Sequence, residues 1–193
     1  MSWIPLAEAS PGLSKDDPLG RIYDRIRERS SAGRVNNVWR AQGGDPSSLA
    51  AAFDHYRALM DEPAPLTRAQ AELIALVVSA TNGCAYCVAH AGPRAAAALG
   101  DESLARAVAR DYREANLAAR DRVLLDAAVA LTCEPCERKL EDVERLREYG
   151  FDDRAILRLT GITAFYNLVN RIACGLGVPL EDGLAPWEFG AQR

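Results

Sequence analysis

The stretch Thr67–Gly92, TRAQAELIALVVSATNGCAYCVAHAG, decides how this chain folds. Thr67 and Gln70 have the spacing of a capping box, in which the threonine hydroxyl and the glutamine amide satisfy each other's orphan backbone donors. The residues that follow, ELIALVVSA, are almost wholly apolar, which predicts a helix set into a core. Asn82-Gly83 then breaks that helix and can cap the next one, so Cys84 falls in the first turn of a second helix and Cys87 one turn inward. The segment therefore reads as two consecutive helices with a Cys-x-x-Cys pair at the head of the second.

Working outward, helix signals recur on both sides. Asp17-Pro18 opens PLGRIYDRIRERS and Asp45-Pro46 opens PSSLAAAFDHYRALM, each with a carboxylate at the N-cap and proline at the first helical position. Downstream, ESLARAVARDYR behind Asp101, then ARDRVLLDAAVALT, EDVERLREYG and DDRAILRLTGITAFYNLVNRIACG carry apolar residues at three- and four-residue spacing, with Gly100 and Gly150 as left-handed stops. No run of four to eight residues alternates apolar with polar. The expected fold is all-α, a single domain over residues 1–193 with about seven or eight helices. Residues 31–44 read as a loop with one helical turn. The tail after Leu176 is punctuated by proline and glycine but holds Trp187 and Phe189, which should pack on a neighbouring subunit or on their own domain.

Composition narrows the function. The chain is 49% hydrophobic and 26% charged, with 23 Lys and Arg against 27 Asp and Glu, a net charge of -4. That balance offers no electrostatic footprint for nucleic acid or anionic lipid. No apolar run approaches the roughly 18 residues that span a bilayer, and the first residues lack a secretory pattern, so neither membrane nor nucleic acid is expected as a partner and the expected location is cytoplasmic. Five cysteines in such a chain point to catalysis, metal binding or burial rather than a disulfide framework.

At the head of a helix, backbone donors and the positive end of the macrodipole favour a thiolate. A step of three residues leaves Cys84 and Cys87 about 60° apart, close enough for a reversible disulfide. The alternative is two small hydrophobes flanking a buried helix. Glu72, twelve residues before Cys84, lies among apolar turns; a partly desolvated carboxylate there could pass protons to a thiol, or it could simply pair with Arg68 at i, i+4.

Glu72, Cys84-Ala-Tyr-Cys87 and a nearby histidine on two consecutive helices resemble the AhpD-like alkylhydroperoxidases of the carboxymuconolactone decarboxylase superfamily. HYRALMDEPAPLTRAQAELIALVVSATNGCAYC and AFYNLVNRIACGLGV resemble its peroxidase-related subgroup, so the similarity runs from about residue 36 to 178, with 179–193 as an extended C-terminal tail. The resemblance implies a helical bundle that assembles into homo-oligomers, commonly trimers or hexamers, without metal or organic cofactor. It implies a thiol-dependent peroxidase in which a hydroperoxide substrate oxidises Cys87 to a sulfenic acid, Cys84 resolves it as a disulfide, and an external dithiol reductant restores the pair. Glu72 and a histidine would relay protons. The relay histidine of such proteins lies four residues after the second cysteine, a position held here by Ala91; the imidazole is at His90. Position 91 would project about 20° from Cys84 and 40° from Cys87, whereas His90 is about 120° and 60° away, able to reach Cys87 but not to bridge both. A slow enzyme is the expectation. Catalytic candidates are therefore Cys87, Cys84, Glu72 and His90, around one shared pocket.

Competing readings are a non-catalytic or redox-sensing helical oligomer that keeps the motif, and a structural zinc site. Cys133-Glu-Pro-Cys136 is a second Cys-x-x-Cys, but 45 residues of helix separate it from the first, unlike a zinc ribbon. Lactone decarboxylases of the same superfamily lack the cysteine pair. Cys174 reads most simply as core, and His55 as structural.

Overall fold

The computed structural model describes residues 2–9, 16–30 and 33–190, and Ser31 and Ala32 of the loop at 31–44 lie outside the described residues. Among the described residues there are nine α-helices, one 3-10 turn and no strand. They are α1 (Pro18–Arg29), α2 (Asn37–Arg40), α3 (Pro46–Met60), α4 (Arg68–Thr81), α5 (Ala85–Leu99), α6 (Glu102–Asp111), α7 (Ala119–Cys133), α8 (Leu140–Glu148) and α9 (Asp153–Gly175), with the 3-10 turn at Pro135–Glu137. The all-α, single-domain expectation holds; the ninth helix is the single turn anticipated in the loop before α3. No described helix is long and apolar enough to cross a membrane.

The helix starts are set locally. Asp17, Asp45, Asp101 and Asp152 each accept a backbone N–H of the first turn that follows. Thr67 Oγ1 accepts from the Gln70 N–H at 3.1 Å and Gln70 Oε1 from the Thr67 N–H at 3.0 Å, closing the capping box. Gly100 ends α5 in the left-handed region, where a side chain would be strained.

Helix α4 is the axis of the molecule: every residue from Gln70 to Thr81 is buried, and α5, α6, α7 and α9 pack around it. That is why its sequence lacks a polar stripe. Gly83, at φ +68, reverses the chain between α4 and α5. The turn is held to α9 by Asn82, whose side-chain amide donates to Oδ1 of Asn167 at 3.0 Å and of Asn170 at 2.9 Å. Asn170 in turn donates to Ser79 Oγ on α4 at 3.2 Å. These amides, Asn170 buried and Asn82 and Asn167 half-buried, fix where the head of α5 sits on α9.

The C-terminal tail packs on its own domain. Trp187 is buried over Gly92 of α5, where an added Cβ would lie 2.3 Å from the indole, and the Arg106 guanidinium covers its ring at 4.3 Å. The Gly190 N–H closes the tail onto the Ala109 carbonyl at 3.1 Å.

Candidate active site

Cys84 is the N-cap of α5 and Cys87 lies in its first turn. Both are free thiols, 1% and 4% exposed. The neighbouring Cys87, followed by burial, pushes the Cys84 thiol far above its ordinary value. Cys87 also lines a cavity of about 270 Å³, together with His90, Arg94, Trp39, Tyr56 and Phe165. Cys84 stands behind it.

Of the four residues expected around one pocket, the cavity wall brings together Cys87 and His90; Glu72 is not on it. Glu72 is buried, and its Oε2 accepts from Arg94 Nε at 3.0 Å, while Arg68 Nη1 lies 3.8 Å from Oε1. The i, i+4 pair is present but is the longer of the two contacts. Arg94 Nη2 donates to the Tyr166 hydroxyl at 2.9 Å. Burial opposes the charge of Arg94, but the Tyr166 and Glu72 oxygens outweigh it and carry its pKa well above the ordinary value. Glu72 reaches the cavity through that cation.

His90 is oriented from an element the sequence did not single out. Its Nε2 lies 2.8 Å from Glu181 Oε2, in the tail. Glu181 Oε1 also accepts from the Asn37 N–H at 2.6 Å and from the Tyr86 hydroxyl at 2.7 Å. The Tyr86 hydroxyl itself accepts from the Val38 N–H at 3.1 Å. Burial pushes the Glu181 carboxyl up, but the bonds from His90, the Asn37 amide and Tyr86 outweigh it and hold it down at about 2. An ionised carboxylate only accepts, so Nε2 of His90 carries a hydrogen and Nδ1 is the basic nitrogen of the neutral ring. Ala91, at the position where the family resemblance would put a relay histidine, is fully buried.

Sequence reading also passed over Pro93, inside α5. It has no N–H to offer the Ala89 carbonyl one turn back, and both residues lie on the cavity wall. An acceptor is thereby left near Cys87 and His90. Cys174, expected in the core, is instead exposed on α9. Cys133 and Cys136 are exposed as well, and no group of three or more His, Cys, Asp or Glu among the described residues could hold a metal ion. His55 packs edge-on against Phe165, with ring centroids 5.5 Å apart.

A buried dithiol at the mouth of a helix, facing an aromatic cavity within an all-helical bundle, defines a class of thiol-bearing helical proteins. The chain belongs to the carboxymuconolactone decarboxylase superfamily, in its AhpD-like branch. The model of the Carboxymuconolactone decarboxylase family matches residues 46–108. An uncharacterized peroxidase-related protein from Silicibacter sp. TM1040 is 31% identical, covering 95% of this chain and 93% of that one, with a TM-score of 0.83. A second, from Ralstonia eutropha JMP134, described as an alkylhydroperoxidase AhpD core, is 31% identical over 95% and 94%, with a TM-score of 0.84. The debrominase Bmp8, solved with 2,3,4-tribromopyrrole, shares the fold at 18% identity and a TM-score of 0.73, covering 88% of this chain and 90% of that one. No functionally curated protein matches.

Proposed function

We propose that the protein is a thiol-dependent peroxidase that reduces organic hydroperoxides through Cys87 and Cys84. The observation that carries this reading is the placement of Cys87 on the wall of a cavity of about 270 Å³, with the buried Cys84 one turn before it as the N-cap of α5. The aromatic walls suit a small apolar group on the peroxide. Nδ1 of His90 takes the proton of the Cys87 thiol, Cys87 sulfur attacks the distal peroxide oxygen, the O–O bond breaks, and the departing alkoxide takes that proton back from His90 to leave as an alcohol. Cys87 has lost two electrons and is a sulfenic acid. Cys84 sulfur then attacks Cys87 sulfur; its proton leaves with the hydroxide as water, and the disulfide forms. Glu181 fixes the His90 tautomer, and Glu72 holds Arg94 beside the reacting oxygens; both are positioning residues. An external dithiol restores the thiols.

The test is thiol counting and intact mass after stoichiometric cumene hydroperoxide. Two thiols should be lost in wild type. Cys87→Ser should lose none of this reactivity-bearing pair, and Cys84→Ser should leave a sulfenic acid on Cys87 that dimedone traps. Equal peroxide consumption by all three proteins would reject the reading. The chain is also proposed to work as a homo-oligomer, since Leu157 and Leu168 stand 71% and 47% exposed on one face of α9, about three turns apart. A monomer's mass in light scattering would reject that.

A further inference from the structure

The chain carries a net charge of -4, yet the wall of the cavity that holds Cys87 has the opposite sign. Arg29, Arg34 and Arg94 line it, and among the described residues no aspartate or glutamate does. The carboxylates that touch this wall from behind do not restore neutrality, because each is shared with a further arginine: Glu72 with Arg94 and Arg68, and Asp61 with Arg29 and Arg57. Arg94 is committed through Nε to Glu72 and through Nη2 to the Tyr166 hydroxyl. The other two guanidinium groups are not. Asp61 takes only Nε of Arg29, so both Nη groups lack a hydrogen-bond partner among the described residues. Arg34 is tied only through its backbone N–H, 3.4 Å from Ser30 Oγ. Both arginines are exposed and stand at the mouth, whereas Cys87 is 4% exposed and lies deep. Aromatic rings join the two levels. Arg29 Cζ is 5.6 Å from the centre of the Tyr56 ring, and Tyr56 is 5.9 Å from both Trp39 and Phe165. Phe165 is 5.9 Å from Tyr166, which holds Arg94, and Arg94 shares one face of α5 with His90 and Cys87 at steps of four and three residues.

We propose that Arg29 and Arg34 form a carboxylate-binding subsite at the cavity mouth, and that the substrate is an organic hydroperoxide with a carboxylate at the end remote from the peroxide. The inference rests on the peroxidase reading above for the reacting group. Like charges lining a cleft with low-dielectric walls focus a positive potential on it, which draws in an anion. The planar donors of a guanidinium match the two oxygens of a carboxylate. At the hydrated mouth the carboxylate keeps part of its water, so its desolvation cost is small. The body of the substrate lies on Trp39, Tyr56 and Phe165, and the peroxide points inward at Cys87 and His90. A cavity of about 270 Å³ lies below the usual range for drug-sized ligands, which limits that body to one ring or a short branched chain. Apolar walls alone do not decide which end of such a molecule enters first. A charge held at the mouth does, and the binding energy gained there orients the reacting bond.

Binding and reaction are tested separately on the full reduced chain. In calorimetry, para-isopropylbenzoate should bind about tenfold more tightly than the uncharged para-isopropylbenzamide, the effect of one hydrogen bond between charged groups, and the double variant Arg29→Gln, Arg34→Gln should lose the difference. In single-turnover thiol loss, cumene hydroperoxide bearing a para carboxylate should react about tenfold faster than cumene hydroperoxide itself, and in the double variant the ratio should fall to about one. Arg34→Gln alone, at an exposed position whose side chain makes no bond among the described residues, guards against misfolding and should lower both preferences about threefold. Equal affinities for acid and amide, equal rates with the two hydroperoxides, or preferences that survive in both variants would each overturn the subsite. A protein that prefers the acid in calorimetry, loses that preference in the variants and is inert to both hydroperoxides would refute the peroxidase reading and leave the carboxylate subsite standing.

Discussion

Replacing Glu181 by glutamine removes one charge from a site with three donors and predicts two separate losses. The carboxyl is held at about 2 instead of its ordinary 4.5, which corresponds to about 3 kcal/mol of stability at neutral pH. Its folded pKa is the depressed one, so this contribution is complete above about pH 4.5 and drains away as the pH falls towards 2. Glutamine keeps some of the bonds, and the expected cost at pH 7 is about 2 kcal/mol, or a melting point lower by roughly 4 to 8 °C for a chain of this size. The gap to wild type should close below about pH 3, where Glu181 is itself becoming neutral. The second loss is in orientation. The Asn37 N–H and the Tyr86 hydroxyl both donate to Oε1, so the single oxygen of a glutamine is claimed there and its NH2 group faces His90. Nε2 must then accept, the tautomer inverts, Nδ1 can no longer take the Cys87 proton, and proton transfer from thiol to departing alkoxide should fall by about a hundredfold or more. Melting by circular dichroism across pH 2 to 8 and single-turnover thiol loss with cumene hydroperoxide measure the two effects. A variant that melts with wild type at pH 7, or that oxidises at the wild-type rate, refutes the corresponding half of the argument.

Three further outcomes are expected. Gly92→Ala puts a methyl group into the Trp187 ring at 2.3 Å; the tail should lift, the segment after Val178 should become sensitive to protease, and peroxide reactivity should drop with the loss of Glu181 from His90. Unchanged proteolysis and activity would separate the tail from the site. Arg94→Met leaves the buried Glu72 carboxylate with only Arg68, 3.8 Å away, and should cost about 3 kcal/mol, the low end for breaking a buried pair because Arg94 is partly solvated; adding Glu72→Gln should recover most of it, and denaturant melts in which the double variant is no more stable than the single would count against the pairing. Ala91→His would restore the family's spacing, but Ala91 is fully buried, and overpacking should destabilise by about 1 to 3 kcal/mol. A stable Ala91→His variant with faster peroxide consumption would show that the position has room the packing does not suggest.

The helices were legible because their signals are local. The capping box at Thr67 and Gln70, the aspartate caps at Asp45 and Asp101 and the break at Asn82-Gly83 each act within four residues, the range over which backbone donors need partners. The cysteine pair was legible for the same reason. What stayed hidden were pairings set by packing. Glu72 announced Arg68 by spacing, but the shorter contact is to Arg94, 22 residues on and on the next helix. Asn82 meets Asn167 and Asn170 because of how α9 crosses the head of α5, a pairing across more than 80 residues that no local spacing announces. Glu181 is 91 residues from His90, on a segment with no periodicity to show which way a side chain points.

The displaced histidine and the hidden glutamate explain each other. Moving an imidazole one residue earlier on a helix turns it by about 100°, away from the side of Cys84 and onto the cavity wall, where His90 stands with Cys87. There Glu72 cannot hold it, because Glu72 is buried off the wall and committed to Arg94 and Arg68. A ring in that place needs a second acceptor to fix its tautomer, and the acceptor must come from outside α4 and α5. The tail supplies it: Trp187 seats over Gly92, where glycine leaves room for the indole, and a few residues upstream Glu181 reaches Nε2 of His90 while capping the Asn37 amide. Trp187, Gly92, Glu181 and His90 therefore form one unit, and a relay histidine at position 91 would make three of the four unnecessary. Relatives with histidine at the later position should accordingly lack an equivalent carboxylate in the tail, and grafting Glu181 into one of them should change neither its peroxide consumption nor its pH profile; a gain there would break the link between the histidine's register and the tail.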